Sequence, residues 1–329
     1  MLLSPMVRKL LSENGISESE ITGSGVGGRI TRDDALRVIE ARRAAAPTAH
    51  PAAPSPPAAP AAPAAPAAPP PPPPMPATAP TAAPVSMASF RAAGDQVVPF
   101  SNMRRRTAEH MVRSKATSPH AFIANEVDFE AVERVRTAWG DRFRAEEGFT
   151  LTYLPFVARA AVEALRDFPL LNSSVVEDSL VVHAEVNLGI AVDLSHEGLI
   201  VPVIHRAEEV TLRGVARRIR DLAERARSRK LNADDIAGGT FSITNDGPFG
   251  TYFTVPIINQ PQVAILATDG IARRPVVVTH PDGSESIAIH STGILGVSWD
   301  HRAVDGAYVS LFLKRISELL AGRDWSAEL

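Results

Sequence analysis

A histidine closes an apolar run, and an aspartate follows four residues later, in Trp299-Asp300-His301-Arg302-Ala303-Val304-Asp305-Gly306. Residues 293–299 read as a buried strand, because Ile294, Leu295, Val297 and Trp299 suit a pleated core. Asp305 falls where a helix N-cap belongs, ahead of Val309, Phe312, Leu313, Ile316, Leu319 and Leu320 at helical spacing. A histidine fixed on a tight strand-to-helix turn presents a ring nitrogen to a cavity, which suits a general base. The bland alternative is a core histidine with both nitrogens satisfied, the ordinary fate of a lone histidine. The strand-turn-helix context favours the base. His183, His196, His205, His280 and His290 have no comparable context, and His120, which follows Pro119, is given no role.

The elements that must position this turn alternate through the C-terminal two thirds of the chain. Helices are expected over 104–114, 130–147, 154–166 and 212–229, and strands over 186–192, 199–204, 240–244, 263–267, 275–278, 286–290 and 293–299. This is a mixed α/β pattern. Its hairpin-like pairs argue against a purely parallel, doubly wound sheet.

Composition divides the 329 residues unevenly. Residues 44–84 are almost pure Ala and Pro, and low order is expected to continue to about 94. Proline removes backbone donors and alanine buries little, so this tract is expected to be disordered, a semi-rigid tether at about 3.1 Å per residue and on the order of 100 Å long. The expected domains are therefore 1–43, a linker 44–94, and 95–329. The absence of cysteine excludes disulfides, thiolate metal sites and a cysteine nucleophile. No basic-then-apolar leader and no apolar run of spanning length is present, so no membrane role and a cytoplasmic location are expected. No metal is expected, since Asp234-Asp235 reads as a solvated helix approach rather than a ligand cluster. Nucleic acid is not expected as a partner either: the basic run 225–230 lacks interleaved aromatics and is balanced by Asp221 and Glu224. The net charge of -3 favours no partner.

At the N-terminus, Ser4-Pro5 reads as a helix start, with Val7, Leu10 and Leu11 as its apolar stripe and Asn14-Gly15 as its end. A second helix is expected near Thr31, with Asp34 three residues on approximating a capping box, and runs through Ala35, Leu36, Val38 and Ile39. The glycine loop between them has no preceding strand and does not meet the Walker pattern, so it reads as a structural turn rather than a phosphate cradle. The arginines of this piece are either a solvated face or a docking face for an acidic partner.

Ser4-Pro5-Met6-Val7-Arg8-Lys9-Leu10, followed by Gly23-Ser24-Gly25-Val26-Gly27-Gly28-Arg29-Ile30-Thr31, resembles the peripheral subunit-binding domain of dihydrolipoamide acyltransferases, the E2 cores of 2-oxo acid dehydrogenase complexes. The C-terminal part resembles their catalytic domain in five ordered blocks, at 187–193, 198–204, 238–245, 256–266 and 300–306. The resemblance implies a small helical domain at 4–42 that docks the E1 or E3 components, with Arg8 and Arg29 on the docking face. It also implies a two-layer α/β catalytic domain of the chloramphenicol acetyltransferase type, built as homotrimers that assemble into a larger core with active sites between subunits. The implied reaction moves an acyl group between dihydrolipoamide and coenzyme A.

A free thiol ordinarily titrates near pH 8.5 and an imidazole near about 6.5, so a neutral imidazole suits thiol deprotonation, and His301 is the candidate base. The family places an oxyanion-binding serine in Phe-Thr-Ile-Ser-Asn; here the block is Phe241-Ser242-Ile243-Thr244-Asn245, and the matching hydroxyl is Thr244. Asp305 is expected to cap the last helix and, by the family pattern, to pair with an arginine, matched here by Arg104. Relatives begin with lipoyl domains. None is recognisable in this sequence, which fits either a short form served by a separate lipoyl carrier or a start internal to a longer gene; on both readings the lipoyl group is expected from a domain supplied in trans. Two rival readings remain: a non-catalytic core subunit that binds E1 or E3, and a small-molecule acetyltransferase, against which the docking domain and tether argue.

Overall fold

The computed structural model describes residues 94–329 and Ala92. In the N-terminal part it describes Val7, Leu11, Asn14, Ile16, Ser17, Ile21 and residues 30–32 and 34–38. The chain forms two units, Met1–Ser86 and Met87–Leu329. Arg8, Arg29, Leu10, Ile39 and the Ala/Pro tract lie outside the described residues.

In the first unit, Val7, Leu11, Ile16, Ile21, Ile30 and Ala35 form a small core with Val38 packed on it. The expected capping box is present. Thr31 N–H donates to Asp34 Oδ2 at 2.9 Å, and Asp34 N–H returns to Thr31 Oγ1 at 3.3 Å. Leu36 does not join the expected stripe. It is exposed, because only the face at 35 and 38 meets the other helix-forming residues.

The second unit is two layers. Its helices are α1 (Asn102–Thr117), α2 (Glu130–Glu147), α3 (Leu154–Asp167), α4 (Leu212–Arg227) and α5 (Gly306–Gly322). Its strands are β1 (His120–Asp128), β2 (Ser173–Val176), β3 (Ser179–Val182), β4 (Leu188–Ile190), β5 (Val192–Asp193), β6 (Leu199–Ile200), β7 (Val203–Ile204), β8 (Phe241–Asn245), β9 (Ala264–Thr268), β10 (Ala272–Thr279) and β11 (Glu285–Asp300). The main sheet runs β1-β11-β9-β8-β4-β7, with β10 continuing beside the first half of β11. β8 is parallel to β9 and β4, and the remaining pairs of this sheet are antiparallel.

Side chains alternate across β11. Leu295, Val297 and Trp299 enter the core shared with α3 and α5, where Phe312 meets Phe168 and Phe241 edge-on. Gly296, Ser298 and Asp300 therefore belong to the opposite face, which α1 and the segment 246–262 approach. Phe122 lies so close over Gly296 that a Cβ there would come within 2.6 Å of its ring. α3 is buried nearly all round, so it runs through the core rather than along its surface.

Three expected boundaries change. Residues 286–290 and 293–299 are one sixteen-residue strand, because β10 and β1 pair with successive halves of β11. The run 199–204 is cut into β6 and β7 around Val201-Pro202, since proline has no N–H for a ladder. The run 186–192 becomes β4 and β5, which belong to different sheets.

Candidate active site

His301 stands immediately beyond β11, and its backbone N–H donates to Pro119 O at 3.0 Å. The turn beneath it is tightly bonded. Asp300, 1% exposed, accepts from Arg302 N–H at 3.0 Å and from the Arg302 guanidinium at 2.6 Å, and Ala303 N–H donates to Asp300 O. Trp299 Nε1–H donates to Val304 O at 3.0 Å, and the indole flanks the imidazole with ring centroids 5.8 Å apart. The imidazole itself is half exposed. Its Nδ1 lies 3.9 Å from Asp305 Oδ1, too far for a hydrogen bond, and Nε2 has no hydrogen-bond partner among the described residues. A rigid turn thus presents a ring nitrogen that is free to exchange a proton.

Burial pushes the Asp300 carboxyl up, but hydrogen bonds from Arg302 and Ser118 and the guanidinium charge outweigh it and hold it below the ordinary carboxylate value. Stability from a depressed carboxylate is present above its unfolded-state pKa and is lost as pH falls through the lower folded value. Replacing Arg302 by alanine removes the guanidinium bonds and charge and leaves burial opposed only by Ser118 and the N–H of residue 302. Thermal unfolding followed from about pH 7 to about pH 4 should show the variant losing stability at a higher pH than the wild type. Superimposable pH profiles would contradict the assignment.

Asp305 occupies the N-cap position of α5, but its carboxylate makes no capping bond. Its side chain is 92% exposed, with His301 as its ion-pair neighbour, so the expected capping role is corrected. The expected Arg104–Asp305 pair is absent among the described residues. Arg104 is exposed in the first turn of α1, and about 20 Å of helix separate it from the end that leads into Pro119. Arg302, whose partner is Asp300, is the arginine that braces the turn.

The structure distinguishes the two hydroxyls of β8. Ser242 is fully buried and donates to Gln262 Oε1 at 2.7 Å. Thr244 is half-buried, and its hydroxyl has no hydrogen bond among the described residues. It is also far from His301 of the same chain. Thr244 is level with Ala267, and Ala267 with Gly296, five residues before His301. At about 3.4 Å per residue and about 4.8 Å per strand, the two side chains stand roughly 20 Å apart, at opposite ends of the sheet. One chain brings His301 and Asp305 together, but not Thr244 or Arg104.

Other polar pairs carry no local sequence signal. His290 Nδ1 lies 2.6 Å from Asp128 Oδ2, and Ser174 Oγ 3.0 Å from His183 Nε2. Ser174 and His183 line a cavity of about 650 Å³ with Glu185, Asn187, Gln260 and Gln262; neither His301 nor Thr244 lines it. Asp235 takes Arg225 and the N–H of Asn232. No group of three or more metal-ligating side chains occurs among the described residues, and no helix among them is long and apolar enough to cross a membrane.

Residues 92–325 match the family of 2-oxoacid dehydrogenases acyltransferase (catalytic domain), and residues 1–36 match the e3 binding domain. The lipoamide acyltransferase component of the branched-chain alpha-keto acid dehydrogenase complex of Bacillus subtilis is 38% identical over 321 residues, 98% of this chain and 71% of that protein. The dihydrolipoyllysine-residue succinyltransferase component of the 2-oxoglutarate dehydrogenase complex of Cupriavidus necator is 37% identical, over 96% of this chain and 70% of that protein. Among solved structures, a probable dihydrolipoamide acetyltransferase from Listeria monocytogenes is 41% identical, with a TM-score of 0.66 over 70% of this chain and 95% of that one. The Azotobacter vinelandii dihydrolipoamide acetyltransferase, investigated for the role of a serine, a histidine and an asparagine in its mechanism, is 32% identical, with a TM-score of 0.66 over 76% of this chain and 97% of that one. The chain belongs to the 2-oxoacid dehydrogenase acyltransferase family, with an e3 binding domain ahead of the catalytic domain.

Proposed function

We propose that this chain transfers an acyl group between dihydrolipoamide and coenzyme A, with His301 as general base, Thr244 as oxyanion donor and Asp305 as orienter of the imidazole. The free nitrogen of His301, on a turn held by the Asp300–Arg302 and Trp299–Val304 bonds, is the observation that carries this reading. The attacking thiol gives its proton to the imidazole as the new S–C bond forms. The tetrahedral oxyanion receives the Thr244 hydroxyl, the old S–C bond breaks, and the proton passes to the departing thiolate. The Azotobacter histidine and asparagine are four positions apart, as are His301 and Asp305, although this chain has a carboxylate where that enzyme has an amide.

The separation of His301 from Thr244 supports a site shared between copies, the histidine from one chain and the threonine from the next. Homotrimers assembled into a larger core, which the family resemblance implies, are compatible with this reading, and a pyruvate dehydrogenase complex relative forms a cubic core. Arg104, distant from Asp305 of its own chain, is assigned to support of the site at that contact between copies. The boundaries proposed are 1–43 for subunit binding, 44–94 for the tether and 95–329 for catalysis, with a lipoyl group as the acyl carrier and the cytoplasm as the setting.

Transfer from acetyl-, succinyl- and branched-chain acyl-CoAs to free dihydrolipoamide is the direct test, and the preferred donor identifies the acyl class. No turnover with any donor, in assembled protein, would favour a non-catalytic scaffold that binds E1 or E3. Docking is assigned to Arg8 and Arg29. Their joint replacement by alanine should weaken binding of E1 or E3 by at least about tenfold, as for loss of charged contacts across an interface, and leave transfer to free dihydrolipoamide unchanged. Unaltered binding in a pull-down titration would remove both residues from the interface.

A further inference from the structure

His120 lies at the start of β1, directly opposite Asp300 in the ladder that delivers His301. Both of its ring nitrogens are engaged. Ile258 N–H donates to Nε2 at 3.0 Å, so Nε2 carries the lone pair; Nδ1 therefore carries the hydrogen and donates to Ser118 O at 2.8 Å. The neighbouring carbonyl, Pro119 O, receives the His301 N–H. Ser118 Oγ accepts from Gln260 Nε2 at 2.7 Å and also bonds Asp300. Ile258 is gripped a second time, since Ser114 Oγ donates to its carbonyl at 2.6 Å. The segment beyond it supplies Asn259, Gln260, Pro261 and Gln262 to the wall of the large cavity.

We infer that His120 is a positioning residue for the acyl transfer, tying the His301 turn and the segment 257–262 to one rigid point at the start of β1. This rests on the reading of His301 as the base. The tie acts through backbone. A shift of the 118–119 peptide moves the acceptor of His301 N–H, and Pro119, with φ fixed by its ring, offers little compliance between the two. A reacting group displaced by about 1 Å loses on the order of 10²-fold in rate while the substrate's binding contacts remain.

The test is steady-state kinetics on full-length, assembled protein, with His301→Ala measured in parallel. His120→Phe removes both hydrogen bonds and should lower kcat roughly 10- to 100-fold, with KM for the acyl-CoA and for dihydrolipoamide within about twofold of wild type. His120→Gln restores an acceptor for Ile258 N–H and should recover part of that loss, a rescue that a merely space-filling role would not produce. Should His120→Phe fail to assemble, Ser114→Ala releases the second grip on Ile258 and should give a smaller fall in kcat, again without a change in KM. Wild-type kcat in His120→Phe, or in both other variants, overturns the inference while leaving the His301 reading intact if His301→Ala is inactive. Turnover in His301→Ala would overturn the base assignment and this inference with it.

Discussion

Replacing His301 by alanine is expected to lower kcat for acyl transfer by about 10³- to 10⁴-fold, the upper range for loss of a positioned general base. The turn should survive the change. Its order comes from the Asp300–Arg302 fork, the Trp299–Val304 bond and the His301 N–H to Pro119, and none of these uses the imidazole. Assembly and thermal stability should therefore match the wild type, and so should docking through the N-terminal unit. KM for either thiol should change little, because a base that acts on a proton in flight contributes to the transition state rather than to binding. Turnover within tenfold of wild type would sink the assignment.

Thr244 should show the second largest effect. Its hydroxyl has no partner among the described residues, whereas Ser242 already donates to Gln262. Thr244→Ala should cost about 10²- to 10³-fold in kcat, as for removal of one oxyanion donor, and Thr244→Ser should keep most of the activity. Ser242→Ala leaves a buried Gln262 oxygen without its donor, so it should reduce stability more than rate. The separation of roughly 20 Å makes a sharper experiment possible. If His301 of one copy works with Thr244 of another, co-assembling His301→Ala chains with Thr244→Ala chains should restore part of the activity that neither has alone. Mixed assemblies as inactive as the two parents would place both groups in one chain's site and contradict the register across β8, β9 and β11.

Helices were the most legible elements, for a reason visible in particular residues. α2 spans the anticipated 130–147 and ends at Gly148, whose φ of +79° suits a residue without a Cβ. α3 and α5 carry long apolar stripes that no other periodicity explains. The capping box at Thr31 was equally readable because all its partners lie within three residues. Strands were less so. The break at Pro202 and the fusion of 286–290 with 293–299 depend on which neighbours pair, and those neighbours lie far along the chain.

The site divides along the same line. Residue types and spacing singled out His301 on a strand-to-helix turn and Asp305 four residues on, because strand ends and helix starts are local properties of the chain; the hydroxyl-bearing block at 241–245 was legible only through the family resemblance. Tertiary structure decided everything that depends on distant segments. Arg104 stays away from Asp305 of its own chain, while the Asp300–Arg302 brace, only two residues apart, is local. Asp305 faces His301 and solvent instead of capping its helix. Thr244, not Ser242, keeps a free hydroxyl, because Gln262 has folded onto Ser242. His120 meets Ile258, 138 residues away, because β1 runs beside the end of β11. Hydrogen bonds between segments so far apart leave no periodicity to read; they exist only once the sheet has set its register.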